Sequence, residues 1–395
     1  MRPARVRLAR GREGPFRAGH PWVFSGAIQE VDGSPEDGAE VDVVDAHGDF
    51  VARGLFNGRS QIRVRLYAWD DVRLDAPFFA ERIRRAVALR HEVLGLGDPD
   101  GAARLIFSEG DGLSGLTVDR YASWLSVQFT SLALATRREA ILDALQERLS
   151  PEGIMLRTER GILEEEGLEL SDGCVRGRPP DGPLEIRDGT LRFAVDLRIG
   201  QKTGFYLDQR HNRRRAAAYA AGRDVADVFC YSGGFSVVLA PAARSVVGVD
   251  TSEPALALAA VNAERNGVAD RVRFERGDAF RWLEEEVHGG PRYGMVVCDP
   301  PRFARTRSGV RQALGAYEKL NALALTCLEP GGLLVTFSCS GRVADEEFRS
   351  AVARAALRAG RGVRILERLG QAPDHPVSTT CPETSYLKGL ICFAE

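Results

Sequence analysis

The sequence predicts an α/β protein of several domains: a Rossmann-like domain at the carboxyl end, a small β-barrel at the amino end and a small α+β domain between them. Three observations carry that prediction. Beyond residue 183, strand-like and helix-like runs alternate, the pattern of an open α/β sheet. Five successive strand candidates there end on polar or acidic residues, and open α/β sheets bind ligands at that edge. Residues 1 to about 70 instead carry short β-type runs separated by turns.

Composition sets the outer limits. The chain has 395 residues, enough for two or three domains at roughly 100–200 residues each and for a core that needs no staples. With 44% hydrophobic and 27% charged residues, it is not a disordered, collagen-like or disulfide-scaffold sequence. No stretch approaches the roughly 18 apolar residues of a membrane span, and no signal-peptide pattern is visible at the start. Seven cysteines without a C-x-x-C pair or zinc-type spacing fit a reducing compartment. The expectation is a soluble, cytoplasmic protein with no metal site and no membrane partner.

Net charge is −2, but the positive charge is clustered. Only three lysines occur (202, 319 and 388), an arginine bias that codon usage in a GC-rich genome accounts for. Residues 1–20 hold Arg2, Arg5, Arg7, Arg10, Arg12 and Arg17 against Glu13 alone. A second cluster is Arg210, Arg213, Arg214 and Arg215. Both suit phosphate backbones.

Taken in order, VRLA, WVFSGAI, EVDVVDA, DFVARGLF and QIRVRLYAW read as short strands of a barrel or sandwich over 1–72. From Pro77 the period becomes helical, with Phe78, Ile83, Ala86, Val87 and Leu94 on one face. LTVDRY and WLSVQF read as strands, 136–149 as a helix and 154–157 as a strand, which together make a central domain over 73–182. The loop GRPPDGP at 177–183 marks the last boundary, and 183–395 forms the third domain.

The chemistry sits in that third domain. DVADVFCYSGGFS (224–236) is an apolar run containing Asp227 and Phe229 that turns through Ser232-Gly233-Gly234 into a helix. Its glycines let backbone approach a ligand beside a helix N-terminus. It is not G-x-G-x-x-G, which disfavours a dinucleotide. The run SVVGVD ends in Asp250, 23 residues after Asp227, where a carboxylate suits a ribose diol. RVRFERGD ends in Asp278, YGMVVCDPP in Asp299-Pro300-Pro301 and GGLLVTFSCS in Cys339. A glycine turn, a ribose acid, a third acid and D-P-P in this order are the pattern of S-adenosylmethionine (SAM) methyltransferases.

D-P-P stiffens the chain and removes N–H donors, leaving carbonyls free for a planar base's amino group, with Asp299 facing that base. Cys339 follows an apolar strand at the same edge. A thiolate adding to carbon 6 of a pyrimidine makes carbon 5 nucleophilic, and cysteine suits that covalent role. An acid such as Asp299 at the ring N3 would stabilise the cytosine adduct. Cys230 and Cys298 lie in or beside apolar runs and read as core, while Cys327, Cys381 and Cys392 lack partners.

On these motifs the chain resembles the RlmI-like large-subunit (23S) rRNA cytosine-C5 methyltransferases over essentially its whole length. GHPWVFSG (19–26) resembles the start of that family's PUA domain, a small RNA-binding barrel, and FSEGDGLSGLTVDRY (107–121) its central domain. GQKTGFYLDQRHNR (200–213), DVFCYSGGFS, GVDTS, GDAF, DPPRFARTRSGV, FSCSG and HPVSTTCPETSYLKG (375–389) follow in the family's order. The resemblance implies a class I SAM methyltransferase fold, a mostly parallel sheet ending in an antiparallel hairpin. It implies Cys339 as nucleophile and Asp299 as base-facing acid, with Pro300, Pro301, Arg210 and Arg302 on the substrate side. Asp250 becomes the ribose ligand and Asp278 the adenine-side residue. Asp208, Gln209 and Arg210 close the pocket, and Phe229, Tyr231 and Gly233 line the methionine side, with Asp299 beside the cofactor. A second cysteine after the D-x-P proline, found in many other RNA cytosine-C5 methyltransferases, is replaced by Arg302, as in the RlmI-like group.

The implied reaction moves a methyl from SAM to carbon 5 of a cytosine in 23S rRNA or a large-subunit precursor, in a chain that the resemblance suggests is a homodimer. Three other readings stay open: an RNA guanine-nitrogen methyltransferase using Asp299-Pro300-Pro301 without a covalent step, a non-catalytic RNA-binding assembly factor, and a small-molecule methyltransferase. Arg210, Arg213, Arg214 and Arg302 are placed to steer phosphates, although Arg213 and Arg214 equally fit a solvated helix face. Trp22 and Phe24 read as barrel core, and His20 as a capping, core or RNA-touching residue. His211 and His375 are general-base candidates, and Lys388 and Tyr386 shape the pocket without an assigned role.

Overall fold

The computed structural model describes residues 3–198, 204–289, 292–304 and 308–395. The head of GQKTGFYLDQR (200–203), Arg2 and residues 305–307 lie outside the described residues. Two compact units divide the chain. One comprises Met1–Ile186, Val195–Gly204 and Pro373–Thr384; the other comprises Arg187–Ala194, Phe205–Ala372 and Ser385–Glu395. The segments expected as separate domains over 1–72 and 73–182 fall within the first unit.

The first unit holds two sheets. Strands β1 (Ala4–Leu8), β2 (Trp22–Phe24), β3 (Ile28–Asp32), β4 (Glu40–Val44), β5 (Phe50–Phe56) and β6 (Ile62–Ala68) are ordered β2-β6-β5-β4-β1-β3. Val6, Val23, Val41, Val43 and Val64 fill its interior, the alternate positions of strands with one dry face. The expectation for Phe24 fails, because Val23 takes the inward position and its neighbour Phe24 is 46% exposed. Trp22 is half-buried, and its indole N–H donates to Glu109 at 2.8 Å.

The second sheet contains β7 (Ala102–Phe107), β8 (Leu116–Tyr121), β9 (Trp124–Phe129), β10 (Gly153–Arg157) and β11 (Gly173–Gly177) in the order β11-β10-β9-β8-β7. The helix Ala76–Ala88 starts at Asp75, whose side chain accepts the Phe78 N–H, and Pro77 follows in the first turn. Its dry face is Phe79, Ile83, Ala86 and Val87, so the buried aromatic is Phe79 rather than Phe78, and Leu94 lies beyond the helix.

A hairpin of β12 (Leu184–Asp188) and β13 (Leu191–Val195) precedes the seven-stranded sheet of the second unit. Its strands β14 (Asp224–Val228), β15 (Ser245–Asp250), β16 (Val272–Arg276), β17 (Tyr293–Cys298), β18 (Leu328–Ser338), β19 (Val363–Leu369) and β20 (Lys388–Ala394) are ordered β16-β15-β14-β17-β18-β20-β19. Strands β14 to β18 pair in parallel, and β20 runs antiparallel between β18 and β19. This is the class I methyltransferase sheet. Central strands covered on both faces read as continuous apolar runs, and Val296, Val297 and Cys298 are fully buried. Strand order reverses at β14, which pairs with β15 on one side and β17 on the other. The crevice outside the carboxyl ends of these strands is therefore where a ligand should sit.

Candidate active site

The turn after β14 is wound tightly. Phe229, Tyr231 and Gly233 have φ of +66°, +48° and +77°, and two of them carry side chains in a conformation that favours glycine. Such strain persists where surrounding structure enforces it, and ligand clamps are a common setting. Here the Cys230 N–H donates to the Val249 carbonyl at 3.0 Å and the Tyr231 N–H to Asp250 Oδ2 at 2.9 Å. Asn262, fully buried on the helix Glu253–Arg265, donates to the Ser232 carbonyl and accepts the Ala194 N–H of the hairpin. Sequence reasoning missed Asn262, because an asparagine inside a helix carries no signal of its distant partners.

Asp227 is buried at the end of β14, where one carboxylate oxygen accepts the Ser236 N–H and hydroxyl at 2.9 and 2.6 Å. Burial outweighs those bonds, and with the Asp250 charge nearby it pushes the Asp227 carboxyl up to about 7. The group thus holds the turn together. Asp250 ends β15 half-buried, each oxygen accepting one backbone N–H, from Tyr231 and Ser252, which leaves further lone pairs for a diol. Asp278 lies two residues beyond β16, exposed, and accepts the Arg281 N–H at the start of helix Ala279–Gly289.

Half-buried aromatic rings line the same edge. Phe229 and Phe280 stand 6.5 Å apart, Phe280 and Phe303 6.1 Å, and Phe303 and the buried Tyr317 4.9 Å. Phe280 and Phe303, as a set, are a feature that the spacing of acids did not reveal. Their motifs, GDAF and DPPRF, held the only clue.

Cys339 follows β18 half-buried, with its sulfur 3.7 Å from the Pro300 carbonyl. The structure thus brings D-P-P and FSCSG together, with Asp299 half-buried, Pro300 buried, and Pro301 and Arg302 exposed. A hydroxyl network fixes the Cys339 backbone. Ser338 and Ser340 both meet the buried Tyr317 hydroxyl, at 2.9 and 3.1 Å, and Ser340 also accepts the Ala304 N–H. Lys388, in register with Ser338 across β20, donates to the Ser340 and Tyr386 carbonyls at 2.9 and 3.0 Å. The other expected core cysteines, Cys230, Cys298, Cys327, Cys381 and Cys392, are buried, whereas Cys174 is exposed.

Asp208 accepts the Tyr386 hydroxyl through Oδ2, while its buried Oδ1 has no partner among the described residues. An orphaned carboxylate oxygen at a ligand edge is what a cationic or N–H donor group would complete. This oxygen, the Asp250 lone pairs and the strained glycine turn fit SAM. Gln209 is buried, its amide oxygen accepting from Asn212 at 2.6 Å.

The arginines differ from expectation. Arg210 and Arg213 are buried and face Asp188 at 3.4 and 3.2 Å, whereas Arg214, also on Asp188, and Arg215, on Glu367, are about half exposed. Arg213 further donates to the Tyr206 carbonyl at 2.9 Å and lies over the Phe205 ring at 4.7 Å. It braces the segment before Asp208 and is neither a phosphate-steering group nor part of a solvated face. The hairpin carboxylate of Asp188 is what makes burial of these cations tolerable. Arg210 is likewise buried beside Asp188 and does not present an exposed charge to a phosphate backbone.

The general-base candidates separate. His211 is exposed, and His375, in the first unit, is buried with Nδ1 3.0 Å from Asp374. Also in the first unit, His20, Cys381 and Glu383 place ligand-type atoms within 4.8 Å of one another. The Trp22 N–H donates to His20 Nδ1, so a neutral ring carries its proton on Nε2, facing Glu383 at 3.4 Å. That arrangement is a hydrogen-bonded cluster.

Comparison with known proteins agrees with this geometry. The PUA-like domain family matches residues 6–69, and the S-adenosylmethionine-dependent methyltransferase family matches residues 174–391. Proteins named ribosomal RNA large subunit methyltransferase I are similar along nearly their whole length. That of Tolumonas auensis is 42% identical (98% of this chain, 99% of that one), and that of Aeromonas hydrophila is 41% identical (99% of each). That of Erwinia tasmaniensis is 40% identical over 98% of each chain. A solved structure described as a candidate SAM-dependent methyltransferase from Streptococcus mutans superposes with a TM-score of 0.85 at 19% identity, covering 98% of this chain and 99% of that one. A candidate methyltransferase solved in complex with SAH also gives 0.85, at 20% identity over the full length of both chains, which bears on fold alone.

Proposed function

The chain belongs to the SAM-dependent rRNA large subunit methyltransferase I family, and on that premise we propose that it methylates carbon 5 of a cytosine in 23S rRNA through a covalent adduct on Cys339. The observation that carries the reading is the contact between the Cys339 sulfur and the Pro300 carbonyl of D-P-P, at 3.7 Å. A nucleophile-type side chain and a base-recognition loop meet at one sheet edge, beside a turn built for the cofactor. The target nucleotide is unstacked to reach them.

SAM, when bound, supplies the methyl group that carbon 5 receives. Asp250 holds the ribose hydroxyls, and Asp208 takes the donor that its open oxygen lacks. Cys339 adds as thiolate to carbon 6 and breaks the ring's aromaticity, so that electron density rises at carbon 5. Asp299 carries the proton that N3 needs as charge builds on the ring. The Pro300 carbonyl, freed from strand pairing, is positioned to accept from the exocyclic amine. After transfer, loss of the carbon-5 proton lets the Cys339–carbon bond break and the product leave. Asp227, Arg213 and Asn262 hold these groups in place without touching substrate.

The test is a trapping assay with SAM and 23S rRNA carrying 5-fluorocytosine, on wild type and Cys339→Ala. Fluorine cannot leave as a proton does, so a covalent protein–RNA adduct should accumulate with wild type alone. Methyl transfer to ordinary 23S rRNA by both proteins, with no adduct in either, would replace this reading with guanine-nitrogen chemistry.

A further inference from the structure

Lys388 is a buried cation with an unusual environment. Its side chain is 9% exposed, and its ammonium donates to two carbonyls, Ser340 and Tyr386. Among the described residues it has no carboxylate within ion-pair distance. Burying an ammonium without a paired anion is costly, and carbonyl dipoles offset only part of that cost. Such a group persists where an anion arrives or forms next to it. Every other lysine or arginine described as buried below 10% of its surface faces a carboxylate or lies along backbone carbonyls away from this edge.

A group able to become an anion on demand stands directly before the Ser340 carbonyl that the ammonium holds: Cys339. Lys388 grips the carbonyl of Ser340, the residue directly after it, and Lys388 pairs in register with Ser338, the residue directly before it. The ammonium is therefore anchored to the residue that follows the nucleophile, on a strand whose backbone pairs with the residue before it. Burial alone draws the Lys388 pKa down, and the Cys339 charge is the first influence that restores it, followed by Asp345, with Arg302 opposing and Glu347 adding to the support. Among the described residues, Tyr206 and Tyr317 are phenols held neutral by burial, and Arg302 is exposed.

We propose that Lys388 is the positioning residue for the nucleophile: its buried ammonium is the counter-charge that holds Cys339 as a thiolate, and its grip on Ser340 fixes where that thiolate points. On ionisation the S–H bond breaks, the proton passes to water, and the electron pair stays on sulfur opposite the ammonium. Substrate then meets an attacking group already charged. The inference rests on reading Cys339 as the attacking atom, and its test does not require RNA.

The experiment is the pH profile of Cys339 alkylation by iodoacetamide in the full-length protein, read by mass spectrometry of the peptide that carries it. The wild-type midpoint should fall at least about one pH unit below the ~8.5 of an ordinary thiol. Lys388→Met should raise the midpoint by about one unit or more, slowing alkylation near pH 7 about tenfold. Lys388→Arg, which keeps the charge, should restore part of the shift. SAM binding by calorimetry reports whether each variant is folded. If Lys388→Met does not fold, the wild-type midpoint decides alone. A wild-type midpoint at or above ~8.5, or one unchanged in a folded Lys388→Met protein, overturns the proposal. A fluorocytosine adduct with an unchanged midpoint removes the role of Lys388 and leaves the Cys339 chemistry standing. A shifted midpoint with no adduct does the reverse.

Discussion

At the scale of single residues, Asp227 shows how one side chain couples the site to pH. Its carboxyl is pushed up to about 7 in the folded protein, from an ordinary value of 3.8, because burial opposes its charge more than the Ser236 bonds support it. Between these values the folded state holds a proton that the unfolded chain has released. Stability from this group is therefore complete below about pH 4, falls as pH rises toward 7, and levels off above it. Asp227→Asn removes the titration while keeping an acceptor for Ser236. Urea unfolding at a series of pH values should show a flatter profile in the variant, the gap from wild type changing by up to about 4 kcal/mol across the window. A parallel pair of profiles would mean that the carboxyl titrates normally. Residues of this kind were only half legible. Asp227, Asp250, Asp299 and Cys339 announce themselves by standing at strand ends in a fixed order. Arg213 did not, since its meaning depends on Asp188, a hairpin residue 25 positions away whose approach no local pattern encodes.

Elements explain why those residues converge. A parallel sheet places all its carboxyl ends on one edge, so side chains far apart in sequence share a crevice once strand order reverses at β14. The turn after β14 is its most constrained part. A methyl group at Gly233 would lie 3.1 Å from the Ala259 Cβ and 3.2 Å from the Phe274 ring, at a φ of +77°. Gly233→Ala should cost about 1–2 kcal/mol of stability and weaken SAM binding, measured by thermal unfolding and calorimetry on the same sample. The C-terminal strand makes a second, gentler prediction. Tyr386→Phe removes the hydroxyl that Asp208 accepts, leaving the carboxylate less well oriented, and SAM affinity should drop about three- to tenfold with the fold intact. Calorimetry that shows equal affinity would detach Asp208 from the cofactor. Strand existence was readable from apolar runs such as VVGVD and MVVCD. The sheet's edge, β20 lying between β18 and β19, was implied only by resemblance, because pairing order leaves no periodic trace.

On the scale of the whole molecule, the two units divide the labour by charge. The residues proposed for catalysis, Cys339 and Asp299, lie in the second unit, whereas the amino-terminal arginines belong to the first. A net charge of −2 hides this, since many arginines stand beside carboxylates. Arg7 pairs with Glu30 and Arg17 with Asp45. Arg5, Arg10 and Arg12 are exposed and face no carboxylate among the described residues. Under the proposed activity, the match for this charge is the phosphate backbone of the RNA. Each arginine that contacts a phosphate displaces a condensed counterion, so affinity for RNA should depend on salt in proportion to the contacts made. Replacing Arg5, Arg10 and Arg12 together by alanine should lower the slope of log affinity against log salt by about two to three, with SAM binding and stability unchanged. Filter binding of 23S rRNA fragments over a salt series measures the slope directly. A slope equal to that of wild type would move the RNA contact off this surface, and Arg302, exposed beside D-P-P, would become the next cation to remove.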